Sequence, residues 1–354
     1  MTPPPDVLAT FGMPAESVVR PVRGGLIHES HQVAHSGRAL LLQRFAAHVF
    51  PDAALVARNI RRVSAELLAS YDSEATARSA RAVLRPIDTV HGQLYAVDAD
   101  GTLWRAAHWI DDAVTHQVAT CPERLYQAAC AFADFQQRLA HLAQTLPSAL
   151  PGFHDTRQRQ RQFEAAVRTD RAGRAAGCRA EITALVGHAP LALTLVERAL
   201  PLCVVHNDAK LSNLLFDRQS DAPLAIVDLD TTGPGIGLTD LGDLLRSSAS
   251  AADEESDHAD DVSARPAWLE AAITGWCDTL GDRISPAERA VLPLAGAVLT
   301  YEQALRFLTD HLEGDRYYTV DRPERNLMRC RTQLALLHSM LAQRDALQRL
   351  VGRS

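Results

Sequence analysis

Four polar side chains in two neighbouring stretches of the sequence have the types and spacing that phosphoryl transfer needs. Asp208, Lys210 and Asn213 lie in one stretch with the pattern H-x-D-x-K-x-x-N, and Asp228 follows the next apolar run. Phosphoryl transfer needs a carboxylate that orients the acceptor hydroxyl, hard oxygen ligands for Mg²⁺, and a cation for the developing charge. The two aspartates, the asparagine and the lysine are able to supply these groups.

An alternative interpretation is that these residues only form turns, which Asp and Asn favour. The surrounding pattern argues against it, because strand-like apolar runs place the polar groups at strand ends. These runs are residues 202–205, 214–216 and 225–227. Three glycines after Asp228 (Gly233, Gly235 and Gly237) indicate a flexible segment leaving a metal site. We therefore favour a catalytic site over a set of turns.

Residues 1–111 predict a β-rich domain with one helix. Two strand-like stretches, residues 29–34 and 38–44, lie on either side of Ser36-Gly37 and predict a β-hairpin. Residues 52–70 repeat apolar positions at helical spacing, and Asp52 is a candidate helix cap. The first domain therefore combines a sheet with a single long helix.

Residues 112–354 predict a mainly helical domain. A long amphipathic helix is predicted at 122–146, and further helices are predicted at 153–175 and 181–199. From residue 237 onward the pattern is almost entirely helical. A chain of 354 residues is long enough for two such domains.

Composition and charge limit the function classes. The sequence has 36 Lys and Arg against 43 Asp and Glu, a net charge of -7, which argues against a general nucleic-acid-binding protein. No apolar run approaches the length of a membrane span, and the first residues lack the features of a signal peptide. The six scattered cysteines fit reduced thiols in a cytoplasmic protein without a zinc site. The oligomeric state is not predicted.

The two polar stretches resemble motifs of a known superfamily. Residues 206–213 are similar to the H-R-D-L-x-x-x-N catalytic loop of protein kinases, and Asp228 stands where those kinases have D-F-G. The D-F-G is replaced as in the aminoglycoside phosphotransferase and choline kinase superfamily. The closer resemblance, over phrases that span most of the chain, is to N-acetylhexosamine 1-kinases. Those phrases include residues 42–45, 104–105, 151–156, 240–246 and 306–310.

The resemblance implies an α+β, two-lobed protein-kinase-like fold and a role for each matching residue. Asp208 is expected to be the catalytic base, while Asn213 and Asp228 bind Mg²⁺. Lys210 is expected to stabilise the transferred phosphoryl group or to contact the acceptor. Asp208, Lys210 and Asp228 would then all face the acceptor. His206 braces the loop in this interpretation, and Asp230 either supports the site or hydrogen-bonds to neighbouring backbone.

The first lobe, residues 1–111, is expected to bind ATP in a cleft near residues 104–112, which include Trp109 and Ile110. Gly24 and Gly25 are suited to a loop over phosphates, although a plain hairpin turn explains them too. The strand lysine that holds the α- and β-phosphates in kinases is missing, and Arg44 is the candidate replacement.

The second lobe, residues 112–354, is expected to bind the acceptor. Arg306 and Tyr317 are candidate sugar-binding residues, with ordinary helix-surface positions as the alternative. The resemblance implies an enzyme that uses ATP and Mg²⁺ to phosphorylate the anomeric hydroxyl of N-acetylglucosamine or N-acetylgalactosamine. The alternatives are a related kinase acting on an aminoglycoside, an amino alcohol or another hexose, and a nucleotide-binding pseudokinase without activity.

Overall fold

The computed structural model describes residues 2–22, 27–47, 49–72, 82–251 and 258–352. The strands within these ranges, in chain order, are β1 (Val18–Val22), β2 (Glu29–His35), β3 (Arg38–Arg44), β4 (Pro86–Ile87), β5 (Ala96–Val97), β6 (Leu103–His108), β7 (Ala113–Thr115), β8 (Leu202–Val205), β9 (Leu214–Asp217), β10 (Pro223–Ile226) and β11 (Gly233–Ile236). The helices are α1 (Pro5–Thr10), α2 (Ala53–Asp72), α3 (Pro122–Leu139), α4 (Thr156–Thr169), α5 (Arg179–Gly187), α6 (Leu238–Ser248), α7 (Pro266–Leu280), α8 (Pro286–Val291), α9 (Ala295–Glu313), α10 (Arg325–Ala342) and α11 (Arg344–Val351).

The chain divides into two compact units. The first unit comprises residues 1–114, 144–151 and 215–233, and the second comprises residues 115–143, 152–214 and 234–354. The first unit holds an antiparallel sheet in the order β1-β2-β3-β6-β4, with β5 also paired to β6. Its apolar core includes residues of α1 and of the inward faces of β2, β3 and β6, with Leu40, Leu42 and Trp104 fully buried.

The two predictions for the first elements of this unit are confirmed. The predicted hairpin is β2–β3, in which His35 pairs with Arg38 around the Ser36-Gly37 turn. The predicted helix is α2, where the Asp52 carboxylate accepts the Leu55 backbone N–H at 2.8 Å. This cap satisfies one of the amide groups that a helix N-terminus leaves unpaired.

His31 on β2 is buried in the apolar face of this sheet without a hydrogen-bond partner. Its side chain lies opposite Leu42 and near the Trp104 ring, and neither ring nitrogen has a partner among the described residues. Burial lowers the pKa of His31 below its ordinary 6.5. The folded protein therefore favours the neutral ring, and an unfolded chain takes up a proton more readily as the pH falls.

We expect His31→Leu to stabilise the protein by about 1 kcal/mol at neutral pH, because it removes a buried unsatisfied polar group. The gain should grow as the pH falls below 6.5, where only the unfolded wild-type chain protonates. Urea unfolding at pH 7.5 and pH 5.5 measures both effects. His35→Leu, at a less buried position of the same strand, is the control; an equal gain there would contradict the explanation.

The second unit is mainly helical. α3 packs against α7, and α9 packs against α4, α6 and α10. β8 pairs with β11. The helix predicted at 181–199 is shorter than expected, since α5 ends at Gly187 and Pro190 lies in a following 3₁₀ turn. A proline cannot donate its backbone nitrogen to a continuing helix and disfavours helical geometry in the preceding residue.

The three glycines after Asp228 do not act as a flexible segment, and that expectation is wrong. Gly233 and Gly235 belong to β11, and Gly237 immediately precedes α6. A Cβ on Gly235 would lie 2.5 Å from Val205, and one on Gly237 would lie 2.6 Å from the Gln136 amide oxygen. Glycine at 235 and 237 therefore permits close packing in the second unit.

Among the residues that the structure describes, no helix combines the length and the apolar character needed to cross a membrane.

Candidate active site

The predicted catalytic loop follows β8 directly. His206 is fully buried, Asn207 has a left-handed backbone conformation with φ +66°, and the segment ends in a 3₁₀ turn at Leu211–Asn213. Asn is among the residues that adopt this conformation at the lowest cost. The strand and the turn lie on either side of Asp208 and position it just beyond the end of β8.

Asp208, Lys210 and Asn213 lie in direct contact. The Lys210 ammonium is 2.8 Å from Oδ2 of Asp208, and Nδ2 of Asn213 donates to the same oxygen at 2.8 Å. Nδ2 of Asn213 also donates to the Asp208 backbone carbonyl at 2.8 Å. Since the amide nitrogen is engaged, the amide oxygen of Asn213 is the atom that remains for a cation, and it is a hard donor of the kind that Mg²⁺ prefers.

The Asp208 carboxyl is held in its ionised form. Burial alone would raise its pKa, but the Lys210 ammonium with its hydrogen bond and the Asn213 hydrogen bond together lower it. About a quarter of the Asp208 side chain remains exposed. A carboxylate in this state is able to accept a proton at neutral pH.

Asp240 on α6 fixes the backbone of the catalytic loop. Its fully buried carboxylate accepts the backbone N–H of His206 at 2.8 Å, the N–H of Asn207 at 2.9 Å and the Gln136 amide at 2.8 Å. The His206 ring in turn accepts the Asp208 N–H at 3.3 Å, as expected for a bracing role. Asp240 was not predicted to have a function. Its only sequence signal is that residues 240–246 are one of the stretches that carry the resemblance to N-acetylhexosamine 1-kinases.

Asp228 follows β10 and also has a left-handed backbone, with φ +61°. The next turn, Leu229–Thr231, buries Asp230 against Arg105 of β6. The guanidinium donates two hydrogen bonds to the carboxylate, each 2.7 Å long. Burial alone would raise the pKa of Asp230, but Arg105 and the neighbouring His28 lower it strongly. The acidic turn of the first unit is thus anchored by a buried ion pair.

His28 completes this cluster as a neutral ring. The Ala46 N–H donates to Nδ1 of His28 at 3.1 Å, so Nε2 carries the proton and donates to Asp230 at 3.2 Å. The ligand atoms of His28, Asp228 and Asp230 lie within 4.8 Å of one another, a spacing that a metal ion would fit. However, both ring nitrogens of His28 and both oxygens of Asp230 are already hydrogen-bonded. Asp228, the metal ligand predicted from the sequence, belongs to this group, and its carboxylate suits Mg²⁺.

Arg105 is a cation in contact with the turn at Leu229–Thr231, and it was not among the candidate site residues predicted from the sequence. Arg105 pairs with Gln43 across β6 and β3, and its Nε donates to Oε1 of Gln43 at 3.0 Å. Arg44 points to the opposite face of β3 and forms an exposed ion pair with Glu29 at 3.4 Å. The role of Arg44 in phosphate binding stays a prediction.

The other residues predicted for the nucleotide lie in different surroundings. Trp109 and Ile110 directly follow β6 and are partly buried, and the Trp109 N–H lies 3.4 Å from the Ala39 carbonyl. Gly24 and Gly25 lie outside the described residues.

Arg306 and Tyr317, the predicted acceptor residues, are brought together in the second unit. The Arg306 guanidinium lies over three aromatic rings, 5.5 Å from Phe153 and 5.7 Å from both Tyr317 and Tyr318. It donates to Gln303 at 3.2 Å and to the Tyr317 hydroxyl at 3.4 Å. Within the described ranges no carboxylate lies at ion-pair distance from this guanidinium.

Asp310 holds the two tyrosines in place. Its buried carboxylate accepts the backbone N–H groups of residues 316 and 317 at 2.8 Å and of residue 318 at 3.0 Å. The Asn326 amide donates to it at 2.9 Å. Because these bonds fix the loop backbone, Tyr317 stays next to Arg306 although 67% of the Tyr317 residue is exposed.

The aromatic cluster is connected to the catalytic loop through His154. This residue precedes α4, which is capped by the Asp155 carboxylate. One ring nitrogen of His154 lies 2.9 Å from the Asn207 carbonyl and the other lies 2.8 Å from Glu302. Glu302 is one helical turn before Arg306 on α9. His154 therefore links the catalytic loop to α9, the helix that carries Arg306, within the second unit.

The fold and these clusters define a class of protein, the kinase-like phosphotransferases. The structure is similar to an aminoglycoside phosphotransferase from Alicyclobacillus acidocaldarius, with a TM-score of 0.66, 15% identity, and 100% of this chain and 98% of the other covered. It is also similar to a microcompartment-associated aminopropanol kinase, with a TM-score of 0.63, 13% identity and coverage of 96% and 97%. A third similar structure is a spectinomycin phosphotransferase in complex with ADP and spectinomycin, with a TM-score of 0.58, 12% identity and coverage of 91% and 93%.

The chain belongs to the phosphotransferase enzyme family APH, whose sequence profile matches residues 18–290. The predicted α+β, two-lobed kinase-like fold is confirmed. The family is one of phosphotransferase enzymes, so the prediction of a phosphotransferase is confirmed.

Proposed function

We propose that the protein is a sugar kinase that uses ATP and Mg²⁺ to phosphorylate the anomeric hydroxyl of N-acetylglucosamine or N-acetylgalactosamine. The observation that carries the proposal is that one unit holds two sets of residues. The first set is Asp208 in contact with Lys210 and Asn213, and the second is Arg306 among aromatic rings. The first set provides the chemistry of phosphoryl transfer. The second provides a binding surface for a polar, uncharged ring.

In the proposed reaction Asp208 accepts the proton of the anomeric hydroxyl as the sugar oxygen attacks the γ-phosphorus. The bond between the γ-phosphorus and the bridging oxygen breaks, and ADP leaves with that oxygen. The lowered pKa of Asp208 supports this role, since the carboxylate is ionised at neutral pH. Lys210 limits the charge that accumulates beside the transferred group.

We assign Asn213 and Asp228 as the Mg²⁺ ligands. When bound, Mg²⁺ would neutralise charge on the phosphates. The amide oxygen of Asn213 and the carboxylate of Asp228 have the right chemistry, and the hydrogen bonds of their neighbours fix both backbones. Arg105 acts through Asp230, which it anchors two residues after Asp228.

The first lobe, residues 1–111, is proposed to bind the nucleotide, and residues 112–354 to hold the acceptor. Gly24, Gly25, Arg44, Trp109 and Ile110 are the proposed nucleotide contacts. These assignments rest on the sequence and the family.

The sugar is proposed to bind beside Arg306 and Tyr317. The guanidinium is able to donate to ring hydroxyls and to the acetamido carbonyl, and the apolar face of a pyranose ring packs well on an aromatic side chain. Two of the similar structures bear the names of an aminoglycoside phosphotransferase and an aminopropanol kinase. A cationic acceptor of either kind would meet the positive charge of Arg306, and the neighbouring Glu302 carboxylate is already hydrogen-bonded to His154 and Thr156, which favours an uncharged acceptor here.

The test is an acceptor panel with coupled detection of ADP. It compares the two N-acetylhexosamines with glucose, galactose, kanamycin and ethanolamine. We expect kcat/KM for the N-acetylhexosamines to exceed that for the cationic acceptors by at least about 100-fold. ³¹P NMR should show a 1-phosphate.

The methyl glycoside of N-acetylglucosamine is the matched control, since its anomeric oxygen is blocked and it should give no ADP. Preferred turnover of kanamycin or ethanolamine would replace the sugar proposal by another acceptor. Nucleotide binding without turnover on any acceptor would indicate a pseudokinase.

A further inference from the structure

We propose that His154 and Glu302 are positioning residues, a buried imidazolium–carboxylate pair that holds the peptide before Asp208 and releases it when His154 loses its proton. The inference rests on the proposed function in one respect, because it takes Asp208 to be the base. Neither residue contacts the substrates in this proposal.

The hydrogen bonds themselves define the protonation state of His154. The ring contacts the Asn207 carbonyl at 2.9 Å and Oε1 of Glu302 at 2.8 Å. A carbonyl oxygen only accepts hydrogen bonds, so the nitrogen facing it must carry a proton. The Glu302 carboxylate also accepts a hydrogen bond of 2.6 Å from the Thr156 hydroxyl. An ionised Glu302 accepts both bonds, and His154 then carries protons on both nitrogens.

The pair is buried and surrounded by few other charges. The His154 side chain is 9% exposed and that of Glu302 is 2% exposed. Two other charged groups act on the pair: Asp243 of α6 favours the imidazolium, and Arg306 of α9 favours the carboxylate. Arg246 near Arg306 is paired with Asp243. A charged pair isolated in this way depends on both partners, because removing one leaves the other buried and uncompensated.

The peptide that the pair holds lies next to the catalytic carboxylate. Asn207 has a left-handed backbone, and Asp240 accepts its N–H at 2.9 Å while His154 donates to its carbonyl. The N–H of Asn207 is thus fixed by Asp240 of α6, and its carbonyl is fixed by His154, which precedes α4. Release of the carbonyl would remove one of the bonds that hold the Asn207–Asp208 peptide, whose N–H still donates to the His206 ring at 3.3 Å, and the peptide would be held less rigidly. The Asp208 carboxylate would then spend less time in the geometry needed to accept a proton.

The direction of the pH effect follows from the two opposing influences on His154. Burial alone would lower its pKa, but the Glu302 charge and hydrogen bond raise it above the ordinary 6.5. The imidazolium is therefore lost only as the pH rises through this raised pKa. A neutral ring carries one proton, and the ionised Glu302 carboxylate is the stronger acceptor for it, so the Asn207 carbonyl loses its donor. Activity should accordingly have an alkaline limit that depends on Glu302.

The test is the pH profile of kcat for Glu302→Gln, measured with the best acceptor. The variant should move the alkaline limit to lower pH by about 1 unit or more, since an opposite charge beside the ring is lost. At neutral pH kcat should fall about 10-fold or more. This is smaller than the roughly 10²-fold loss for a 1 Å misplacement of a catalytic group, because the Asp208 carboxylate is displaced only part of the time. The KM for ATP should change little. An alkaline limit at the wild-type pH in the variant overturns the proposal.

Glu181→Gln is the matched control. Glu181 is a buried glutamate of the second unit that pairs with Arg331 at 2.6 Å, away from the catalytic loop. Its replacement should leave the alkaline limit unchanged. Glu302→Asp keeps the charge on a shorter side chain and should restore part of the alkaline range.

Histidine NMR on the full-length wild-type protein tests the pair without any assay of turnover. At pH 7, ¹H–¹⁵N spectra should show both ring nitrogens of His154 protonated, with the resonance assigned by its absence in His154→Gln. A neutral His154 ring at that pH overturns the proposal even if no variant folds. If the imidazolium is found and Asp208→Asn retains turnover, the assignment of Asp208 fails and the account of its positioning fails with it.

Discussion

Asp208→Asn should lower turnover by a factor of about 10²–10⁴, the contribution of a positioned general base to proton transfer. The substitution keeps the size and shape of the side chain, and it removes the basic oxygen that accepts the acceptor proton. The Lys210 ammonium loses a partner at 2.8 Å. Since about one-third of the Lys210 side chain is exposed, water is able to solvate the ammonium. Folding and nucleotide binding should therefore persist.

The measurement is kcat with the best acceptor, together with the unfolding midpoint and nucleotide affinity by calorimetry. Asp217→Asn is the control, since Asp217 caps the exposed β9–β10 turn by accepting backbone N–H groups of residues 219 and 220. Its turnover should stay near wild type. Near-wild-type turnover in Asp208→Asn would remove Asp208 from the role of base.

The parts of the fold that were predicted correctly depend on local sequence. The β2–β3 hairpin has alternating burial around a Ser-Gly turn, and α2 has apolar residues at helical spacing behind a capping aspartate. Both signals lie within about twenty residues, which is the range that periodicity covers. The extent of α5 was predicted less well, because a continuing apolar pattern masked the effect of Pro190.

The candidate site likewise contains residues that local sequence predicts and residues that only the tertiary structure identifies. Asp208, Lys210 and Asn213 are close in sequence, and their spacing alone brought them together. Arg105 is 125 residues from Asp230, and His154 is 53 residues from Asn207. A single arginine on a strand, or one histidine before a helix, gives no periodic signal. Only the tertiary structure identifies which acidic group or carbonyl such a residue contacts.

Arg44 and Arg105 illustrate this difference between sequence and structure. They lie on neighbouring strands, and Arg44 was the predicted phosphate-binding cation because it lies near the position of the missing lysine. In the structure Arg44 is about one-third exposed and pairs with an exposed glutamate, whereas Arg105 is 13% exposed and pairs with a carboxylate that is 2% exposed. The two arginines are therefore a matched pair for a test of what burial contributes.

Arg105→Met should destabilise the protein by about 3–5 kcal/mol, because it leaves the buried Asp230 carboxylate with only the neutral His28 as a partner. Arg44→Met breaks an exposed pair and should cost no more than about 1 kcal/mol. Urea unfolding of the two variants at neutral pH gives the comparison. Equal losses in the two variants would show that the Arg105–Asp230 pair is not a principal anchor of the acidic turn.

The double variant Arg105→Met/Asp230→Leu separates the ion pair from simple packing. If the loss in Arg105→Met comes from an uncompensated buried charge, removing that charge should recover a large part of the stability. If the loss comes from missing contacts of the arginine side chain, the double variant should be less stable than either single variant. Recovery of stability without recovery of activity would further show that the pair is retained to hold Asp228. A hydrophobic replacement fills the same space but does not fix the turn that carries the proposed Mg²⁺ ligand.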